Sequence, residues 1–302
     1  MKKIILIAAV ALGTIGLLLA VKGSDNPTNS TKSANANLTP VDSLRDAHGL
    51  AVDAADSSKL WIASHTGLHL LKNDKDLFLV GRGRDDYMGF STHPTDPNTF
   101  FTSGHPAGDG NIGFQKSTDA GKTWRKVSDG LDGPVDFHSM AVDRVDPGIV
   151  YGMYQGQMQK SVDGGKSWKN VRTAPDGVIQ LVAGATQSTL YAATQSGLEV
   201  SRDQGKAWTG VGGGLQGGAV VSVAANPKND QELMSYSQQL GLAKSQDGGL
   251  SWTKLSAPLA ADELVVYLAY DPNSPTNAYM LTRSLSIYKT TDAGASWTKV
   301  KS

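Results

Sequence analysis

The chain has 302 residues, with 28 Lys and Arg against 28 Asp and Glu, six His, 34 Gly and no Cys. A formal net charge of zero offers no broad basic surface for phosphates, so nucleic acid is not an expected partner, and without Cys neither a disulfide framework nor a thiolate metal site can form. The length suits one large all-β domain able to bury its own core, and the high glycine count with only 19% charged residues describes a chain rich in turns rather than a disordered one.

Met1, Lys2 and Lys3 precede an uncharged apolar run at 4–21, closed by Lys22. This pattern predicts a signal peptide or signal anchor over 1–23, with the basic end retained in the cytoplasm and the remainder exported. The run is just long enough to span a bilayer, and no small-residue cleavage site follows it. Residues 24–39 are rich in Ser, Asn, Thr, Lys and Pro, a composition that reads as a flexible linker. The folded domain is therefore expected over 40–302.

From residue 48 onward the chain repeats. The strings STDAGKTW (117–124), SVDGGKSW (161–168), SRDQGKAW (201–208), SQDGGLSW (245–252) and TTDAGASW (290–297) end in Trp residues 40 to 45 apart, the period of a four-stranded propeller blade. A sixth, degenerate copy at 72–79 retains only Asp74. Short apolar strands bounded by Asp, Pro, Gly and Asn surround each string, and six copies predict an all-β, six-bladed β-propeller. Within the string, Gly permits positive φ, Ser and Asp bond nearby backbone N–H groups, and Trp supplies an apolar plate. The pairs Asp119/Trp124, Asp163/Trp168, Asp203/Trp208, Asp247/Trp252 and Asp292/Trp297 are thus expected to be structural.

These strings resemble the Asp-box, or BNR, repeats of sialidases, of sortilin-like proteins and of exported bacterial propellers labelled glycosyl hydrolase-like. The resemblance implies that the boxes lie on outer turns, away from any ligand face. It also implies that a sialidase site would need three arginines, a Tyr nucleophile with a Glu partner, and an acidic Asp. The chain has three Glu, of which only Glu263 is placed to reach such a face, and beside the candidate arginines Arg82, Arg84 and Arg283 no R-I-P signature occurs. Catalytic residues are not carried over.

If boxes build the scaffold, function belongs where equivalent positions diverge. Aligned copies place His48, Met88, His138, Gln180, Val221 and Val266 at the opening of the innermost strand, and Asp46, Asp86, Asp136, Val178, Ala219 and Leu264 two residues earlier. The end of the second strand carries His65, His105, Gln155, Gln195, Gln238 and Arg283. In a propeller these positions share one face near the axis. The face of blades one to three should therefore gather His48, His65, Met88, His105, His138, Asp46, Asp86 and Asp136, with Arg283 opposite. Imidazoles with a thioether suit a soft ion such as copper, with the Asp side chains orienting the rings.

Metal binding through His48, Met88, His138, His65 and His105 is accordingly the sharpest expectation. A glycoside hydrolase pairing Asp86 with Asp136, with Tyr87 and Phe137 stacking on sugar, is the alternative. A third reading is a protein-binding platform of the kind seen in sortilin-like and photosystem-assembly propellers, with the loop at 106–113 as a lip. His69 and His93 are expected at the surface, and Asp85 and Asp86 as ion partners of Arg82 and Arg84.

Overall fold

A computed structural model describes residues 37–302; the apolar segment at 1–23 and residues 24–36 of the expected linker lie outside the described residues. Among the described residues all regular structure is strand, arranged as six antiparallel sheets of consecutive strands. These are the six expected blades. Their inner strands, Gly49–Val52, Asp86–Thr92, Ser139–Val142, Val178–Ala183, Val220–Ala225 and Val265–Tyr270, line one axial channel of about 170 Å³. The first inner strand packs beside the last and closes the ring. Each blade supplies its own outer strand, so no strand interlocks two blades.

Blade one departs from the others at its outer edge. Leu38–Pro40 pairs with Asp76–Val80, Leu38 opposite Val80 and Pro40 opposite Phe78, giving a fifth strand. Leu38 and Thr39, read above as linker, thus belong to the sheet. The cause lies in the strand they cover: Asp76–Val80 carries Leu77, Phe78, Leu79 and Val80, whereas the outer strands of blades two to six are largely exposed. Pro40 is tolerated because an edge strand does not need every N–H.

All five boxes fold into one turn. In blade three Ser161 Oγ donates to Asp163 Oδ1 (2.7 Å) and accepts the Gly165 N–H (2.8 Å), while Asp163 accepts the Ser167 N–H (2.9 Å) and hydroxyl (2.6 Å). Blades two, four, five and six repeat the set, blade four without the second hydroxyl because Ala207 stands in its place. Gly165, at φ +85°, is required twice over: it occupies the left-handed region, and a Cβ there would meet Phe114 of the preceding blade at 1.9 Å. The box therefore joins blades as well as strands.

Six apolar clusters fill the six interfaces between blades. Trp124, Trp168, Trp208, Trp252 and Trp297 each sit in the cluster shared with the preceding blade. The sixth interface, between blades six and one, has no box Trp. It is filled by Leu44, Val41 and Ala47, from the strap that joins Pro40 to the first inner strand, against Tyr279, Leu281 and Ile287. Asp74, the remnant of the degenerate box, does not build a box turn; it accepts the Tyr279 hydroxyl (2.6 Å) and the Lys289 ammonium (2.7 Å) of blade six. A clasp replaces the missing box at the seam.

At the box end the inner strands turn on a recurring acceptor. Asp53, Asp143 and Asp271 each accept two backbone N–H groups of their own turn, Asp143 also that of Ser188 in blade four, and Asn226 accepts one. Blade two uses His93, whose Nδ1 accepts from Thr95 (3.3 Å) and Asp96 (3.0 Å). Blade four has Gly184 there, and Asp230 of blade five reaches across to receive the Ala185 and Thr186 N–H groups.

Candidate metal-binding face

The end opposite the boxes carries the residues that the repeat comparison singled out. Bulges set their aim. In blades two, four, five and six the ladder with the second strand skips one residue, at Met88, Ile179, Val221 and Val266, while in blades one and three it begins one residue after His48 and His138. An extra residue at a bulge redirects its side chain, and of these Met88 and Ile179 line the channel. Blade four corrects the alignment above by one residue: Ile179, not Gln180, is the equivalent of His48. Gln180 instead accepts the Val223 N–H (2.9 Å). Likewise Gly177, whose carbonyl accepts the Gln195 N–H, replaces Val178 as the counterpart of Asp46, Asp86 and Asp136, just as Ala219 and Leu264 accept from Gln238 and Arg283. A bulge leaves no mark in the continuous run GVIQLVA.

The donors separate into two groups of two imidazoles and one carboxylate, each group with its donor atoms within 4.8 Å of one another. The first spans blades two and three. His105 Nε2 lies 2.9 Å and His138 Nε2 2.7 Å from the same oxygen, Asp136 Oδ2. The Asp136 side chain is only 4% exposed, and its other oxygen is buried with no partner. His105 Nδ1 lies 3.1 Å from the Gly110 carbonyl. A carbonyl only accepts, so Nδ1 carries the proton and a neutral His105 presents its Nε2 lone pair to a carboxylate oxygen. Lone pair against lone pair repels, so at 2.9 and 2.7 Å these atoms share protons, which a metal ion binding here would displace.

The second group belongs to blade one. His65 Nδ1 is 3.4 Å from Asp46 Oδ2, His48 Nε2 is 3.8 Å from Asp46 Oδ1, and the two rings lie 4.2 Å apart. Asp46 Oδ1 also receives the His65 backbone N–H (2.7 Å). Asp86 stands beside this group, its Oδ2 3.4 Å from His65 Nε2. Burial pushes the Asp86 carboxyl up, against the pull of His65, His48 and His105. Burial also lowers His48, reinforced by His65 and opposed by Asp86 and Asp46. Half-buried Met88 lines the channel mouth together with His48 and His138.

Asp46 and Asp136 thus stand among the imidazole donor atoms rather than behind them. Blade four lines the channel with Ile179, whereas half-buried Val221 and Val266 hold the equivalent positions of blades five and six; Gln195, Gln238 and Arg283 are exposed. Arg283 donates to the Asp262 carbonyl, and Glu263 receives the N–H of Ser284, so neither points to a shared ligand.

Other expectations change with packing. Tyr87 and Phe137 are fully buried against Trp124 and Trp168 and are unavailable to a sugar. Gly152 exists for Phe137, whose ring would lie 2.4 Å from a Cβ there. His69 is buried, not at the surface, with Nδ1 3.3 Å from Ser64 Oγ. Asp85 receives the Ala107 N–H, and Arg84 donates to the Gly81 and Gly83 carbonyls; among the described residues neither Asp85 nor Asp86 forms an ion pair with Arg82 or Arg84. The contribution that residue types could not reveal is the Gly110 carbonyl, held over His105 by a loop that Asn111 pins to Pro134 and Tyr154.

No family model matches the chain, and no curated protein matches it. Solved structures share its fold. A GH74 xyloglucanase from Xanthomonas campestris superposes with a TM-score of 0.60 at 18% identity over 84% of this chain and 45% of that one. The extracellular domain of a hybrid two-component system from B. thetaiotaomicron gives 0.56 at 13% identity over 87% of this chain and 34% of that one. YCF48 bound to a D1 peptide gives 0.54 at 15% identity, over 88% of this chain and 86% of that one. The chain spans under half the length of the xyloglucanase it matches. At such identities the likeness is one of fold.

Proposed function

We propose that this chain is an exported β-propeller whose blade two and three face binds a transition-metal ion through His105, Asp136 and His138. The observation that carries the reading is the His105 ring: its Nδ1 proton is held by the Gly110 carbonyl while its Nε2 faces Asp136 Oδ2, the arrangement by which second-shell carbonyls orient ligating imidazoles. Two nitrogens and one oxygen suit zinc(II) or copper(II), with a further position open to water or a ligand. Met88 adds a soft donor at the channel mouth, where copper(I) would use it. The basic and apolar N-terminus supports an extracytoplasmic location, secreted or held at the membrane. Metal analysis and titration with zinc(II), copper(II) and copper(I) test the reading: binding lost in His105→Gln and His138→Ala supports it, and no binding by the folded protein overturns it.

A glycoside hydrolase is the second reading, favoured by Asp86, a carboxyl that burial holds protonated toward higher pH as a general acid requires, and by the xyloglucanase among the fold neighbours. Turnover of a xyloglucan or another glycoside, abolished by Asp86→Asn, would establish it. The peptide-bound YCF48 neighbour makes a protein ligand the third outcome to assay on the same face.

A further inference from the structure

Resting on the metal reading, we propose that the face holds two ions, the second bound by Asp46, His48 and His65, where it fastens the N-terminal strap to blade one. Three observations converge. Ligands 2.0 to 2.1 Å from a tetrahedral ion lie roughly 3.3 to 3.4 Å apart; His65 Nδ1 and Asp46 Oδ2 are separated by 3.4 Å, too long for a good imidazole hydrogen bond. His48 Nε2 is buried with no hydrogen-bond partner, 3.8 Å from Asp46 Oδ1, a polar atom that a cation would satisfy. Asp86 Oδ2 lies 3.4 Å from the second nitrogen of His65, a second carboxylate beside the group that favours a cation there by charge and not through a hydrogen bond.

The consequence is mechanical. Asp46 and His48 lie on the strap between Pro40 and the first inner strand, and His65 lies on the turn between the second strand Lys59–Ser64 and the third, Gly67–Lys72. An ion at this point ties the strap to its blade. The same strap carries Val41, Leu44 and Ala47 into the seam between blades six and one, the interface without a box Trp. The second ion therefore steadies ring closure, whereas the first joins blades two and three.

The repeat supplies the variant. Gln occupies the His65 position in blades three, four and five, as Gln155, Gln195 and Gln238, so His65→Gln keeps a side chain the fold accepts there. In the full chain, metal analysis and calorimetric titration with zinc(II) and copper(II) should give two ions in the parent, one in His65→Gln and one in His138→Ala. Metal should slow hydrogen exchange of residues 41–48 in the parent and in His138→Ala but not in His65→Gln. One ion in the parent, lost in His138→Ala and kept in His65→Gln, overturns the second site and leaves the first. One ion lost in both variants means a single shared ion and overturns the pair. No ion in the folded parent overturns both readings.

Discussion

The two ends of this propeller use aspartate in opposite ways. At the box end Asp247 and Asp292 are held down at about 2 by the hydroxyls of Ser251 and Ser296 and by backbone N–H groups. At the other end burial pushes Asp86 up, and Asp136 keeps an oxygen without a partner. A carboxylate saturated with local donors fixes a turn and has nothing left to offer. One left short of donors among imidazoles retains capacity for a ligand or a proton. Repetition of the aspartate builds the scaffold at one end, and its loss at the other leaves carboxylate oxygens without partners.

The comparison breaks first if scaffold residues prove dispensable. Phe137→Ala removes a ring packed on Trp168 and should cost about 3 to 5 kcal/mol in denaturant unfolding. Gly165→Ala, which combines strain at positive φ with a clash on Phe114, should cost about 3 kcal/mol. Next comes the seam: Asp74→Ala removes bonds to Tyr279 and Lys289 and leaves partly buried partners unpaired, an expected loss of about 2 kcal/mol by thermal or chemical unfolding.

A smaller effect concerns acid. His93 lies below the ordinary 6.5, first through burial and then through Lys116, with Asp96 opposing. The unfolded chain therefore binds the proton more readily than the folded one, so stability is complete above about 6.5 and declines as pH falls through the lowered folded value. Protonation also removes the acceptor used by Thr95 and Asp96. His93→Asp, which copies the acceptor of blades one, three and six, should flatten the stability profile below about pH 6.5, measured by unfolding midpoints across pH. An unchanged slope would remove His93 from the account. Least of all, without metal, His138→Gln should shift stability by under about 0.5 kcal/mol, because its side chain is 63% exposed. A larger loss would make the ring part of the scaffold.

Much of this was legible in the chain itself, and the limits are physical. Five strings of one pattern at 40 to 45 residues determined the blades, because a turn that needs Ser, Asp, Gly and Trp at fixed offsets writes itself directly into sequence. The same register brought Asp46, His48, His65, Asp86, His105, Asp136 and His138 to one face, since antiparallel strands return every second-strand end beside an inner-strand start. Tertiary structure decided the rest. The bulge at Ile179 shifted blade four by a residue without changing its apolar pattern, and packing between blades, not residue type, buried Tyr87 and Phe137, while His69 is buried beside Ser64 of its own blade. Asp74 became a clasp because ring closure put blade six beside it. The grouping of donors into two sets, with a loop carbonyl orienting one of them, depends on angles and distances between blades, which no single repeat contains.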